Sequence, residues 1–331
     1  MTDPRSPVVL ITTAFLKPGG EVDSRLQEAG ARVIFIPKPN EEPGRFRKAL
    51  GEADAVIAGT HPVTAEMIDA APFLRVIART GVGYDNVDVD AASRHGVAVC
   101  VTPGANRQAV AEHVFALMLA AARDVPDNIA EVTTGKWTQR SGRELSGATL
   151  GIVGLGSIGK TVALLGRAFG MRVVAYDPYF DSQFGEDHDV KQVELGELLS
   201  IADFITLHLF LDSTTKHLID AQALARTKPG AIVINTARGG IIDENALADA
   251  VRSGGLGGAG LDVFETEPLP VTSPLVGLPR VITTGHVAGA TQEARTRSGL
   301  LAAEIVLAAL KGDNVPHSVN GDKLTVSAGI A

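Results

Sequence analysis

Cysteine and most aromatic residues are scarce in this chain. Its 331 residues include one Cys, one Trp and three Tyr. A single cysteine, Cys100, excludes a disulfide framework and every zinc site built from CxxC pairs, and its apolar surroundings predict an inert buried thiol. The eight histidines show neither HxH nor HExxH spacing. We therefore expect no catalytic metal.

Long apolar runs and an excess of positive charge are missing as well. No run of eighteen apolar residues occurs, so we expect no membrane span. The first ten residues include Asp3, Arg5 and two prolines, unlike a signal peptide. Acidic residues outnumber basic ones by 38 to 30, which gives a net charge of −8 and disfavours nucleic-acid binding. Together these features favour the cytoplasm.

Two series of β-rich runs alternate with helical segments, which predicts an α/β protein with parallel sheets. At about 150 residues per domain, the length corresponds to about two domains. The first series has strands at Val8–Thr12, Arg32–Ile36, Ala55–Ala58, Arg75–Ala78 and Val97–Val101. The second has strands at Thr149–Val153, Arg172–Tyr176, Phe204–Leu207, Ala231–Thr236, Ala259–Val263 and Val281–Thr284.

Two long helices are predicted at the junctions of these series. One spans Arg107–Arg123, and the other spans Gln292–Leu310 with Thr291 as its N-cap. The second helix follows both series, so we expect it to return to the first domain. This predicts two doubly wound domains, with residues 105–290 inserted between residues 1–104 and 291–331.

A glycine motif of the form GxGxxG is the strongest chemical signal. Gly154, Gly156 and Gly159 follow the strand Thr149–Val153 and open a helix, and the next strand ends at Asp177, 21 residues beyond Gly156. This strand–turn–helix–strand context predicts a dinucleotide site, because the first glycine allows the tight turn, the second lets backbone approach a pyrophosphate and the third permits close packing.

A second match to the same pattern, Gly255–Gly260, precedes a strand instead of following one. We interpret it as a loop leading into Ala259–Val263, because no helix opens from it. Asp177 favours NAD over NADP, since a carboxylate there accepts hydrogen bonds from a ribose and repels a 2′-phosphate. No arginine follows Asp177 to neutralise such a phosphate.

Three polar residues follow three strands of the second series. Arg238 comes after Ala231–Thr236, Glu267 after Ala259–Val263 and His286 after Val281–Thr284. Ligands of parallel sheets bind beyond the carboxyl ends of the strands. We therefore expect Arg238 to bind a substrate carboxylate, His286 to transfer a proton, and Glu267 to orient the imidazole.

Longer motifs show which family the chain resembles. The segments are Arg79–Asp88, Thr102–Asn106, Val110–His113, Gly154–Gly159, Asn235–Gly240 and Leu261–Pro268. Through them the chain resembles the D-isomer-specific 2-hydroxyacid dehydrogenases, in particular the phosphoglycerate-dehydrogenase-like branch. The resemblance implies a Rossmann NAD-binding domain inserted into a flavodoxin-like substrate domain, and a homodimer formed around the helix Arg107–Arg123.

The same resemblance implies roles for individual residues. The catalytic set is Arg238, Glu267 and His286, and the backbone near Val82 and Gly83 helps to hold the substrate carboxylate. Arg79 is a further candidate for substrate binding. The expected cofactor contacts are Gly154, Gly156, Ser157, Ile158, Gly159, Asp177, Thr236, Ala237 and Asp262.

Two positions depart from the family pattern. Gly285 stands where a proline commonly precedes the catalytic histidine, and the turn Gly59–Pro62 lacks the basic residue of the phosphoglycerate branch. The candidate substrate pairs are therefore 3-phosphoglycerate with phosphohydroxypyruvate, and hydroxypyruvate or glyoxylate with their hydroxy acids. Because the chain stops at Ala331, we expect no C-terminal regulatory domain and no feedback by serine.

Two other functions occur among proteins with a similar set of site residues. An NADH-sensing, corepressor-like binding module with little turnover remains an alternative, because relatives of that kind can retain Arg238, Glu267 and His286. Formate dehydrogenase is disfavoured, because that relative pairs its histidine with Gln where this chain has Glu267.

Overall fold

The computed structural model describes residues 5–323, so the predicted domain ends at 1–4 and 324–331 lie outside the described residues. The chain divides into two compact units. One runs up to Asn106 and resumes at Thr291, and the other is Arg107–Ala290. Each unit is built on a parallel sheet with interleaved helices. The predicted α/β class is confirmed.

The sheet of the first unit has five parallel strands in the order β2-β1-β3-β4-β5, which is the flavodoxin-like order. Its strands are β1 (Val8–Ile11), β2 (Arg32–Phe35), β3 (Ala55–Ala58), β4 (Val76–Arg79) and β5 (Ala98–Cys100). Its first helices are α1 (Glu21–Glu28), α2 (Pro43–Glu52), α3 (Ala65–Asp69) and α4 (Val89–Arg94). β1, β3 and β4 are buried throughout, as expected when helices cover both faces.

The sheet of the second unit has seven parallel strands in the order β12-β11-β10-β9-β6-β7-β8. Its strands are β6 (Thr149–Val153), β7 (Arg172–Tyr176), β8 (Val190–Gln192), β9 (Phe204–Leu207), β10 (Ala231–Asn235), β11 (Leu256–Leu261) and β12 (Val281–Thr283). Its helices are α5 (Arg107–Ala122), α6 (Val125–Thr133), α7 (Ser157–Ala168), α8 (Ser182–His188), α9 (Leu195–Ile201), α10 (Ala221–Ala225) and α11 (Glu244–Arg252). The central order is that of a Rossmann fold, which β12 extends.

The last helix, α12 (Gln292–Lys311), belongs to the first unit and packs on β3 and β4. Thr291 caps it as predicted, since its side chain accepts a hydrogen bond from the N–H of Ala294 at 3.1 Å. Gly312 ends it with a φ of +78°, the left-handed conformation common at helix C-termini. In the part of the chain that the structure describes, no helix is both long and apolar enough to cross a membrane.

The second glycine-rich match is not the loop that its sequence predicts. Most of it lies in β11, which begins at Leu256. A Cβ on Gly260 would lie 2.9 Å from side-chain atoms of both Ile234 and Leu117. Glycine there lets α5 and β10 pack closely against β11, so this glycine run serves packing.

Candidate functional site

The turn between β6 and α7 depends on glycine for two steric reasons. Gly154 has a φ of +99°, and a Cβ there would lie 2.6 Å from the backbone oxygen of His208. A Cβ on Gly159 would lie 2.1 Å from the oxygen of Gly154. Gly156 faces open space, and as the N-cap of α7 it brings no side chain to the N–H groups of the first turn. Ser157 and Ile158 open this helix, whose N-terminus suits a pyrophosphate.

Asp177 lies directly after β7 and joins two loops. Its Oδ2 accepts a hydrogen bond from the N–H of Leu155 at 2.6 Å, within the glycine turn. Its Oδ1 accepts one from the N–H of Tyr179 at 2.8 Å. Each carboxylate oxygen has a second lone pair, so the side chain can still accept from a ribose hydroxyl.

A polar side chain that lacks a hydrogen-bond partner within residues 5–323 lies at the carboxyl end of β10. The Oγ1 of Thr236 is buried, and none of the described residues forms a hydrogen bond with it. Buried polar atoms normally have partners, so this hydroxyl suits a ligand that brings one. The glycine turn, Asp177 and Thr236 thus fit a dinucleotide such as NAD along one edge of the sheet.

Arg238 stands in a loop that Asn235 organises. The Nδ2 of Asn235 donates to the backbone oxygen of Arg238 at 2.8 Å, and its Oδ1 accepts from the N–H of Ala237 at 3.0 Å. The Nη1 of Arg238 donates to the oxygen of Ala237 at 2.7 Å. Asn235 has only 1% of its surface exposed. Sequence reasoning identified Arg238 but missed this buried amide that shapes its loop.

Glu267 and His286 meet in a direct pair. His286 Nδ1 lies 2.7 Å from Oε2 of Glu267, while the other carboxylate oxygen accepts the N–H of Phe264 at 3.1 Å. Burial opposes ionisation of Glu267, but the hydrogen bonds from His286 and Phe264 and the positive charges of His286 and Arg238 hold its pKa below the usual range. An ionised carboxylate only accepts hydrogen bonds, so the ring carries a proton on Nδ1, and Nε2 is not engaged by Glu267.

Asp262 organises the loop that carries His286. This carboxylate is fully buried and accepts hydrogen bonds from Thr284 Oγ1 at 2.5 Å and from the backbone N–H groups of residues 287 and 288. His113 Nε2 lies 3.6 Å from its Oδ1. Burial alone would raise the pKa of Asp262, but these hydrogen bonds outweigh it and lower the pKa. The loop is thereby fixed although Gly285 replaces the family's proline.

Sequence reasoning gave His113 no part in the site. It lies on α5, and its Nε2 is 3.0 Å from Thr284 Oγ1. A histidine on a largely apolar helix gives by itself little signal of a partner that lies far along the chain. The contact places His113 behind the loop of His286, where it supports Asp262.

The remaining predicted substrate contacts lie in the first unit. Arg79 ends β4 with 7% of its surface exposed, and its guanidinium donates to the backbone oxygens of Gly83 at 3.1 Å and Ala58 at 3.3 Å. Val82 and Gly83 follow it in the loop after β4. Arg79 therefore shapes the loop whose backbone is expected to meet the substrate carboxylate.

Two further observations concern chemistry outside this set. Within residues 5–323, no group of three or more His, Cys, Asp or Glu side chains is placed to hold a metal ion. Cys100 lies in β5 and is fully buried, and burial raises the pKa of its thiol to about 12. Such a thiol stays protonated and unreactive.

The fold and these groups define the class of protein. A Rossmann-type unit with a dinucleotide turn carries an imidazole–carboxylate pair, which is typical of NAD-dependent dehydrogenases. Residues 115–288 match the family model described as the NAD binding domain of D-isomer specific 2-hydroxyacid dehydrogenases. The chain belongs to this family, and the predicted resemblance and NAD cofactor are confirmed.

Individual relatives agree with this assignment. The chain is 47% identical over 328 residues to D-3-phosphoglycerate dehydrogenase of Mycobacterium leprae, covering 98% of this chain but 61% of that protein. It is 41% identical to hydroxypyruvate reductase of Thermotoga maritima, covering 81% and 88% of the two chains. The crystal structure of a glyoxylate reductase from Paecilomyes thermophila superposes with a TM-score of 0.85 at 32% identity, covering 95% and 98%.

Proposed function

We propose that the protein is an NAD-dependent oxidoreductase that interconverts a small D-2-hydroxy acid and its 2-keto acid. The observation that carries this proposal is the 2.7 Å pair between His286 Nδ1 and Glu267 Oε2, in the same unit as the dinucleotide turn. Family membership supports the same chemistry.

The roles of the residues follow from their chemistry. The glycine turn and Asp177 would hold NAD, which would supply or accept the hydride when bound. Arg238 binds the substrate carboxylate with two parallel hydrogen bonds and polarises the adjacent carbonyl. In the direction of reduction, His286 donates a proton from Nε2 to the developing alkoxide. Glu267, ionised because of its lowered pKa, accepts the hydrogen bond from Nδ1 and orients the ring.

Among the candidate substrates we favour the unphosphorylated ones, hydroxypyruvate and glyoxylate. The turn after β3 lies at the carboxyl edge of the first sheet, where ligands of such folds bind. It offers little to a phosphate. Gly59 and Thr60 bring no positive charge to this turn. His61 packs edge-on against Phe46, and burial lowers its pKa, which keeps the imidazole neutral.

The chain covers different shares of the relatives that are named for these substrates. The chain spans 61% of the length of the phosphoglycerate dehydrogenase from M. leprae. It spans 88% of the hydroxypyruvate reductase and 98% of the glyoxylate reductase. Two relatives that the chain covers over most of their length are named for hydroxypyruvate and glyoxylate, which carry no phosphate.

A comparison of three keto acids tests both parts of the proposal. NADH oxidation is followed with hydroxypyruvate, glyoxylate and phosphohydroxypyruvate, and kcat/KM is determined for each. We expect an unphosphorylated substrate to exceed phosphohydroxypyruvate by at least about tenfold, the effect of one charge-assisted hydrogen bond. A higher kcat/KM for phosphohydroxypyruvate would refute the substrate choice alone. NADH binding without turnover of any keto acid would refute the enzyme and favour a corepressor-like sensor.

We further propose that the protein is a homodimer that works in the cytoplasm. The dimer is supported by an apolar stripe on α6, where Val125, Ile129 and Val132 are 39%, 59% and 46% exposed. Their spacing puts them on one face of the helix. The cytoplasm is supported by the single cysteine, which is typical of chains from reducing compartments.

A further inference from the structure

Two histidines of the second unit share a rare backbone conformation and a similar partner. The φ angle is +55° at His286 and +50° at His217, in a region that residues other than glycine seldom adopt. His217 Nε2 lies 3.2 Å from Oε1 of Glu265. Glu265 and Glu267 belong to one loop, so that loop pairs with both histidines.

His217 also holds the loop of Arg238. Its backbone N–H donates to the oxygen of Gly240 at 2.8 Å. The two loops are in direct backbone contact, since a Cβ on Gly239 would lie 1.9 Å from the carbonyl carbon of Phe264. His217 therefore connects the loop of Arg238, through its backbone, with the loop of Glu267, through its ring.

Glu244 holds the loop of Glu267 from the first turn of α11. Its Oε1 accepts the N–H of Glu265 at 2.7 Å, and Oε1 of Glu265 accepts the N–H of Glu244 at 3.4 Å. Burial raises the pKa of Glu244, and the negative charges of Glu265 and Glu267 act in the same direction. A half-buried carboxylate close to two others is retained at a free-energy cost, as is a left-handed histidine.

We propose that His217, Glu265 and Glu244 form a positioning network that fixes the loop of Arg238 relative to the loop of Glu267. The inference rests on the proposed function, in which Arg238 binds the carboxylate and Glu267 orients His286. The three residues act through the loops and not on the substrate. His217 reaches both loops, whereas Glu244 reaches only the loop of Glu267.

Substitutions at His217 distinguish the contribution of its ring from that of its backbone. His217→Gly suits the left-handed backbone and removes the ring, and we expect kcat/KM for the keto acid to fall by about ten- to a hundredfold, the effect of a small misplacement of catalytic groups. Both a lower kcat and a higher KM contribute. His217→Gln keeps a donor at similar reach and stays within about threefold of wild type by the same reasoning. Glu244→Ala lowers kcat and leaves KM unchanged.

Hydrogen–deuterium exchange tests the network without any substrate. We expect His217→Gly to speed exchange in the segments 238–242 and 264–268, and Glu244→Ala to speed it in 264–268 alone. The control is His95→Gly, which breaks an exposed histidine–aspartate pair at 2.7 Å in the first unit and should leave both segments unchanged.

The outcomes separate the two proposals. Wild-type exchange in both segments of His217→Gly overturns the network, as does an equal loss of kcat/KM in His217→Gly and His217→Gln. If the wild-type protein turns over none of the keto acids, the proposed function is overturned. Hydrogen–deuterium exchange in the segments 238–242 and 264–268 of His217→Gly then tests the network independently of activity.

Discussion

His286 has two ring nitrogens with different surroundings, and the proposed reaction depends on that difference. Nδ1 is committed to Glu267 at 2.7 Å, which leaves Nε2 for the substrate. Replacing His286 with Ala removes the proton donor, and we expect kcat for keto-acid reduction to fall by about two to four orders of magnitude. The dissociation constant for NADH, measured by fluorescence titration, should change little. Wild-type turnover in this variant would remove His286 from the mechanism.

We predict that Asp177 determines which dinucleotide the protein prefers. Its carboxylate joins the glycine turn to the loop after β7, and its charge disfavours a 2′-phosphate. Asp177→Ser should weaken NADH binding by about tenfold, the loss of one good hydrogen bond to a charged group, and raise the ratio of NADPH to NADH affinity. Titrating the protein with NADH and with NADPH measures the two dissociation constants. Tighter binding of NADPH than of NADH by the wild type would contradict this role.

The site could be predicted from sequence only where function follows from local position. Arg238, Glu267 and His286 each stand just after a strand, so the rule for parallel sheets brings them to one edge. Asn235, His113 and the His217 network gave no comparable signal. Their partners lie far along the chain or in loops whose conformation no local pattern specifies.

The crossing from β11 to the loop after β12 depends on the carboxylate of Asp262. Asp262 is fully buried and its pKa is below the ordinary 3.8. Its interactions therefore stabilise the fold fully above that ordinary value, and this stability is lost as the pH falls through the lower pKa of the folded state. The stability gained from Asp262 should disappear in strongly acidic solution.

Asp262→Asn tests this contribution. The amide lacks the charge and one acceptor, so we expect the free energy of unfolding at neutral pH to fall by about 2–3 kcal/mol. The difference between variant and wild type should shrink below about pH 4. Urea unfolding at several pH values across this range measures the free energy of unfolding of the variant and the wild type. Asp249→Asn is the control, because that carboxylate is 78% exposed and its pair with Arg252 contributes little. A loss independent of pH would show that shape, not charge, matters at Asp262.

The sequence predicts the helices and strands that have strong local signals. It does not predict those whose signal is weak or whose formation depends on tertiary contacts. Thr291 caps α12 as predicted, and Asp220 and Asp243 cap α10 and α11 in the same way. The sequence analysis does not predict β8 or α6. β8 has three residues, two of them Lys191 and Gln192, and only the neighbouring β7 makes it a strand. The glycine-rich β11 likewise forms because its neighbours pack closely, a constraint absent from local sequence.

At the scale of the whole molecule, α6 presents its apolar stripe to solvent. Every residue of this helix is at least partly exposed, and such a stripe is typical of an interface. We expect the wild type to elute with twice the mass of one chain. Ile129→Lys should shift it toward the monomer, because a charge in an apolar contact is unfavourable. Light scattering coupled to gel filtration measures both.

The control for this experiment is another exposed apolar residue. Val271 is 90% exposed and lies outside α6, so Val271→Lys should keep the wild-type mass. A wild type that elutes as a monomer, or dimers of equal stability in both variants, would exclude α6 as the contact.

The acid–base pair, the arginine and the dinucleotide turn all come from one continuous stretch, within Arg107–Ala290. Gly59 and Arg79, at the ends of β3 and β4, belong to the other unit. The groups proposed for the redox chemistry are thus encoded by one uninterrupted segment of the gene. Such a segment can be duplicated or exchanged without separating these groups from one another.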